Sequence, residues 1–286
     1  MRNALVFGGT GQIGVPLLDR LRAGGWRVVA VSREAQLDDA CVHWLRGDLS
    51  GVERLPAVVD AIFSCGPLDH FARWYAGSSI ECGRVVAFGS TSLTAKSESA
   101  DPRERALSAR LAEGERVLFA GARRRGVAAT VLRPTLVYGA GRDQTLTRIA
   151  SLARRWHCCV LPHGANGLRQ PVHVDDLATA AMQACDAAAA NGNAYALPGG
   201  ETLAYREMVA RMLRALRPSP MLIEVPAPLL GAAMHAAAAV GFGAPGDAAI
   251  ARLRSDLVFD DAPARRDFAY APRAFRPTPA MFVPLP

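Results

Sequence analysis

The stretch NALVFGGTGQIG, residues 3–14, decides how this chain folds. Asn3 to Gly8 is an apolar run of strand length, and Gly8, Gly11 and Gly14 are spaced GxxGxxG. Ile13, Leu17, Leu18 and Leu21 then share one helical face. The order is strand, tight turn, helix. The first glycine permits the turn, the second lets backbone N–H groups approach a pyrophosphate, and the third lets the helix pack close to the strand. The helix N-terminus would face the phosphates. Gly8, Thr10, Gly11, Gln12, Ile13 and Gly14 are therefore the expected contacts of a dinucleotide.

Outward from this stretch, short apolar runs recur at Arg27–Ser32, Val42–Leu45, Val59–Ser64, Arg84–Gly89 and Ala128–Leu132. Brief helical or loop segments separate them. Pro102 to Arg125 reads as a long helix with Asp101 as its N-cap. Such alternation predicts an α/β fold of Rossmann type, a doubly wound parallel sheet with ligands at the carboxyl ends of its strands. Further on, Arg142–Arg155 and Asp175–Ala190 read as helices, Ala194–Leu197 as a strand and Leu203–Leu216 as a helix. Proline-punctuated segments from Met221 suggest a small lobe. The expected division is a dinucleotide-binding domain over 1–200 and a smaller C-terminal substrate lobe over 201–286, with part of 140–172 contributing to the substrate side.

The 286 residues carry a net charge of +7, yet the cations are scattered and all but Lys96 are arginines. The densest cluster, Arg123 to Arg125, stands before Gly126, where cations offset a helix dipole and glycine ends the helix. A solvated helix end is expected there, and no nucleic-acid partner. The six cysteines show no metal-ligand rhythm, so reduced, mostly buried thiols and no metal are expected. A strand beginning by Asn3 leaves no room for a signal peptide. The apolar tract Ala227–Val240 is too short to span a bilayer and reads as a buried helix. No membrane partner and a cytoplasmic location are expected.

A site for NAD usually places an acidic side chain about twenty residues after the glycine loop, where it accepts from the ribose 2′-hydroxyl. Ser32 and Arg33 stand there instead, and a guanidinium with a hydroxyl suits a 2′-phosphate. The sequence therefore favours NADP over NAD. Asp48 either meets the adenine or caps a turn.

Four further motifs accompany the loop: GSTS at 89–92, LRPTLVYG at 132–139, PVHVDDLA at 171–178 and GGETLAYREM from Gly199. Their order resembles the extended short-chain dehydrogenase/reductase group, also called the NAD-dependent epimerase/dehydratase family. The resemblance implies a small-molecule substrate between the sheet and the C-terminal lobe. It also implies a serine or threonine that binds the reacting oxygen, a tyrosine that exchanges the proton, and a lysine four residues later that holds the nicotinamide ribose. By that pattern Ser90 is the first hydroxyl candidate and Thr91 the second.

The tyrosine and lysine are missing. The corresponding positions hold Leu107 and Leu111, or Ala106 and Arg110 if the register slips by one, and no tyrosine has a lysine four residues on. Arg110 can still hold a ribose, but a guanidinium with a pKa above about 12 does not exchange protons. Tyr138, His70, or a substrate group assisted by Ser90 are the conceivable surrogates. In HVDD, Asp175 or Asp176 is expected to cap the following helix and His173 to pack beside it.

These observations imply an atypical NADP(H)-binding oxidoreductase acting on a small carbonyl or alcohol. The missing pair motivates an alternative, a catalytically silent cofactor-binding sensor or assembly module. A nucleotide-sugar epimerase is the third reading, and it needs a proton-transfer residue that the motifs do not supply.

Overall fold

The structure is a computed structural model that describes residues 1–143, 145–226 and 251–283. Its centre is an eight-stranded sheet. In chain order its strands are β1 (Asn3–Phe7), β2 (Arg27–Ser32), β3 (Val42–Asp48), β4 (Gly51–Val52), β5 (Val58–Ser64), β6 (Glu81–Phe88), β7 (Ala128–Pro134) and, later in the chain, β12 (Ala194–Leu197). They lie in the order β12-β7-β6-β5-β1-β2-β3-β4. All neighbours run parallel except β3 and β4, which form an antiparallel hairpin. The doubly wound α/β fold is thus the one the glycine stretch predicts. Strand order reverses beside β1, whose carboxyl end carries the glycine loop.

Helices cover both faces, which is why the central strands are apolar on both sides rather than alternating. Against one face lie α1 (Gly14–Ala23) and α6 (Val174–Asp186), whose Leu17, Leu21, Leu177 and Ala181 join Val6, Ala30 and Phe63 in one core. The other face carries α2 (Leu68–Gly77) and α4 (Pro102–Arg125), with Phe71, Tyr75 and Leu118 packed on Leu5, Ile62 and Val85. The Asp101 carboxylate accepts from the Arg103 N–H at 2.8 Å, and Gly126 closes α4 in the left-handed conformation at φ +67°. Of the arginine triplet, Arg125 is not simply solvated, since its guanidinium lies 4.6 Å from the Tyr75 ring centre.

A third core stands beyond the carboxyl ends of the strands. It gathers Tyr138 from β8 (Val137–Tyr138), Leu146 and Ala150 from α5 (Leu146–Trp156), and Leu161 from β9 (Cys158–Pro162). Later segments complete it: Met208 and Met212 from α7 (Tyr205–Ala215), with Phe275 and Phe282. Around it, β10 (Leu168–Arg169) pairs with β13 (Leu203–Ala204), β11 (Val172–His173) with β8, and β14 (Met221–Val225) with β9. α3 (Ser92–Ala95) follows β6, and α8 (Ala262–Phe268) returns to pack beside β12 and α6.

Several expected boundaries shift. β3 runs on to Asp48 because Gly47 and Asp48 pair with β4. α5 begins at Leu146 rather than Arg142, since the Asp143 carboxylate binds the N–H groups of Thr145 and Thr147 and turns the chain first. α6 stops at Asp186, leaving a separate 3-10 turn at Ala188–Ala190. Leu203 and Ala204 belong to β13, so the helix there starts at Tyr205. The six cysteines are free thiols, but only Cys185 is fully buried and the other five are half-buried. The expected helix at Ala227–Val240 lies outside the described residues. Among the described residues no helix is long and apolar enough to cross a membrane.

Candidate active site

The glycine loop has the geometry its spacing anticipates. Gly8 sits at φ +76°, and its carbonyl oxygen accepts from the Gly11 N–H at 3.0 Å. A Cβ on Gly14 would stand 2.0 Å from that oxygen, so only glycine lets α1 press onto the turn. No side chain caps the start of α1. The buried Gln12 Oε1, on this loop, and the Ser64 Oγ, at the end of β5, have no hydrogen-bond partner among the described residues. The Thr10 carbonyl accepts from Arg142, which ties the loop to the segment after β8.

At the end of β2, the buried Ser32 hydroxyl accepts from the Glu34 N–H at 3.2 Å. Arg33 is exposed and makes no ion pair among the described residues. The Asp48 carboxylate caps its own turn through the Ser50 hydroxyl at 2.5 Å and the Ser50 N–H at 2.8 Å. Those hydrogen bonds hold it below the usual carboxylate value, and Arg33 nearby adds to the effect.

A cleft of about 1410 Å³ runs from Gln12 past the end of β6 into the third core's outer wall. Ser90 and Thr91 line it. The Thr91 hydroxyl is already spent on the Pro134 carbonyl at 3.0 Å. The Ser90 Oγ accepts from the Ser92 N–H at 3.1 Å, an arrangement that leaves its own proton for another acceptor. Behind this end of β6, Arg133 and the buried Glu115 form a two-pronged pair, and Gly89 packs against the Glu115 carboxylate.

Side chains that the motifs did not single out complete the cleft. Ser92, Ala95 and Lys96 present one face of α3 to it, and Lys96 pairs with Glu104 at 3.4 Å. Glu104 also takes Arg252 and the Ser99 hydroxyl. Arg169 is buried against the carbonyls of Leu168 and Ser255, both at 2.7 Å, and its pKa is lowered by burial. Arg148 lines the cleft as well. Lys96 had one signal in the sequence, its being the only lysine and standing six residues after Ser90. The three arginines converge only through tertiary packing.

The remaining candidates lie elsewhere. Arg110, Leu107 and Leu111 border a separate depression of about 520 Å³ on α4, shared with His70 at the start of α2. Tyr138 is buried between His173 and Phe275, with ring centres 5.1 and 4.9 Å away, and burial pushes its hydroxyl up to about 12. Its neighbour Val137, not Tyr138, faces the cleft. The HVDD reading needs correction. His173 is itself the N-cap of α6, its Nδ1 accepting from the Asp175 N–H at 3.2 Å, while Asp176 binds Arg273 at 2.8 Å. Both aspartates stand in the first helical turn, two and three residues past the capping position. Burial, reinforced by Arg273, lowers the His173 pKa and keeps the ring a neutral acceptor.

Fold and cleft together define a doubly wound α/β protein with a third apolar core beyond the carboxyl ends of its strands. Residues 57–197 match the NAD dependent epimerase/dehydratase family. It is 27% identical to a 2-alkyl-3-oxoalkanoate reductase of Stenotrophomonas maltophilia, with 94% of each chain covered. An epimerase of Methanothermobacter thermautotrophicus superposes with a TM-score of 0.73 at 16% identity, covering 96% of this chain and 89% of that one. A UDP-glucuronic acid 4-epimerase of Bacillus cereus, solved with NAD, gives 0.70 at 11% identity over 98% and 94%.

Proposed function

We propose that this chain is an NADP(H)-dependent oxidoreductase acting on a small carbonyl or alcohol substrate. One observation carries the reading: a single cleft joins Gln12 of the glycine loop to Ser90, whose hydroxyl proton is uncommitted. The loop fits a dinucleotide, since its glycines leave no room for side chains and Gln12 holds a buried oxygen without a partner among the described residues. Gly8 to Gly14 would receive the pyrophosphate, and Ser32 with Arg33 the 2′-phosphate that distinguishes NADP from NAD. When bound, the cofactor supplies or accepts hydride.

The rest falls to the chain's own groups. Ser90 donates a hydrogen bond to the reacting oxygen and orients the substrate. Lys96, on the same wall, carries the transferable proton that the missing tyrosine would otherwise hold. Residues 1–200 hold the cofactor in this scheme, and 201–286 with part of 140–172 shape the substrate side. The setting is cytoplasmic, where NADP(H) is available. The likeness to a reductase of 3-oxoalkanoates makes 3-oxo acids the first substrates to try.

Calorimetric titration with NADPH and NADH, followed by NADPH oxidation over a panel of carbonyls, tests the reading. Binding of NADPH, and turnover lost in Ser90→Ala, is the expected result; no NADPH binding sinks the proposal. The leucines at 107 and 111 favour a second reading, a catalytically silent cofactor-binding sensor or assembly module. Binding without turnover of any carbonyl would establish it. Turnover of a UDP-sugar would instead make the chain a nucleotide-sugar epimerase.

A further inference from the structure

The outer lip of the cleft is apolar and open to solvent. Leu152 is 49% exposed, Trp156 65% and Val160 44%, and all three line the cleft. The register of β9 with β14 sets Ile223 beside Val160 and Met221 beside Cys158, and these are 38% and 69% exposed. Side chains of paired residues in a parallel sheet point to the same side, so this side of the ribbon is an apolar face left uncovered among the described residues. Its opposite side carries Cys159, Leu161 and Leu222, which pack on the third core. Leu152 and Trp156 are four apart on α5 and extend the face onto the helix.

The fringe of this face is cationic. Arg148 stands four residues before Leu152 on the same side of α5, and the Arg155 guanidinium lies 5.7 Å from the Trp156 ring centre. Neither arginine pairs with a carboxylate among the described residues. Glu224, the acidic residue of β14, points to the other side of the ribbon and is bound by Arg206 at 2.5 Å. An exposed tryptophan and aliphatic side chains ringed by free arginines match the acyl chains and phosphates of an anionic bilayer surface. A second copy packed face to face would set these arginines against their own charge.

We propose that the α5, β9 and β14 face docks on an anionic lipid bilayer, with Leu152, Trp156, Val160, Met221 and Ile223 entering the headgroup region and Arg148 and Arg155 meeting lipid phosphates. The chain lies on the membrane surface, with the cleft mouth turned to the lipid. Read from its sequence the chain is expected to have no membrane partner, because this face is assembled only in the fold, from two strands some sixty residues apart and one turn of helix.

The test is co-sedimentation of the full chain with vesicles of phosphatidylcholine alone and with vesicles that also contain phosphatidylglycerol. Binding is expected to the second kind, weakened by salt and reduced about fivefold by Arg148→Ala or Arg155→Ala. Trp156→Glu combined with Leu152→Glu should abolish it while leaving thermal unfolding unchanged, since both side chains are exposed. On the unsubstituted chain, lipids brominated along their acyl chains should quench part of the tryptophan emission. Absence of sedimentation and of quenching, or sedimentation that survives the double substitution, overturns the proposal. So does a concentration-dependent dimer that Trp156→Glu dissociates in the absence of lipid binding, because the face would then be a contact between copies.

Discussion

At Gly14 a methyl group would meet the Gly8 carbonyl oxygen at 2.0 Å and the Gly9 backbone at 2.7 Å, with no flexible side chain to give way. Gly14→Ala is therefore expected to cost about 1–3 kcal/mol or more, as overpacking does. Thermal unfolding would register the loss, and an unchanged midpoint would show that α1 does not press on the turn. Arg33 answers a different question. Its guanidinium is exposed just past the end of β2 and makes no ion pair among the described residues, so removing it should leave the fold intact. Because hydrogen bonds to charged groups are worth about 1.5–3 kcal/mol, Arg33→Ala should weaken NADPH about tenfold to a hundredfold and leave NADH unchanged. Calorimetry with both cofactors checks this, and equal losses for the two would remove Arg33 from the 2′-phosphate.

The helix α4 shows how an element serves the site without entering it. Glu115 on α4 and Arg133 on β7 form a largely buried pair directly behind Gly89, so the helix fixes where β6 delivers Ser90. Removing one partner strands a buried charge, and Glu115→Ala is expected to cost about 3–5 kcal/mol, read as a shift in denaturant midpoint at constant slope. An effect within about 0.5 kcal/mol would place the pair among ordinary surface bridges. The ends of α4 were legible in the sequence because its signals are local: Asp101 and Pro102 at the start, Gly126 at the finish. The longer strands of the main sheet were legible for the same reason. The two-residue strands β4, β8, β10, β11 and β13 were not, since each exists only through a partner elsewhere in the chain. The cap of α6 was misjudged because a histidine ring nitrogen took a place that aspartate usually fills.

Across the whole molecule, the glycine loop and Ser90 could be read from motifs, whereas the cleft that joins them could not. Lys96, Arg148, Arg169 and Arg252 are scattered in sequence and meet only in the folded chain, where they line one cleft. Glu104 is the point where distant segments are tied, taking Lys96 and Ser99 from one side and Arg252 from the other. Burial alone would raise its pKa, but hydrogen bonds from Ser99 and Arg252 and the charge of Lys96 outweigh it and hold the carboxyl below its ordinary 4.5. A carboxyl whose pKa is depressed by folding stabilises the folded chain fully above its unfolded value. That contribution is lost as the pH falls through the lower, folded value. Glu104→Gln should therefore unfold at a lower temperature than the parent near neutral pH. As the pH drops below 4.5 the parent should lose stability more steeply, so the two melting curves converge on the acid side. Melts recorded between about pH 3 and about pH 7 decide it. A constant offset across that range would mean that Glu104 contributes packing alone, and that the Arg252 segment is held at the cleft by apolar contacts rather than by this charge cluster.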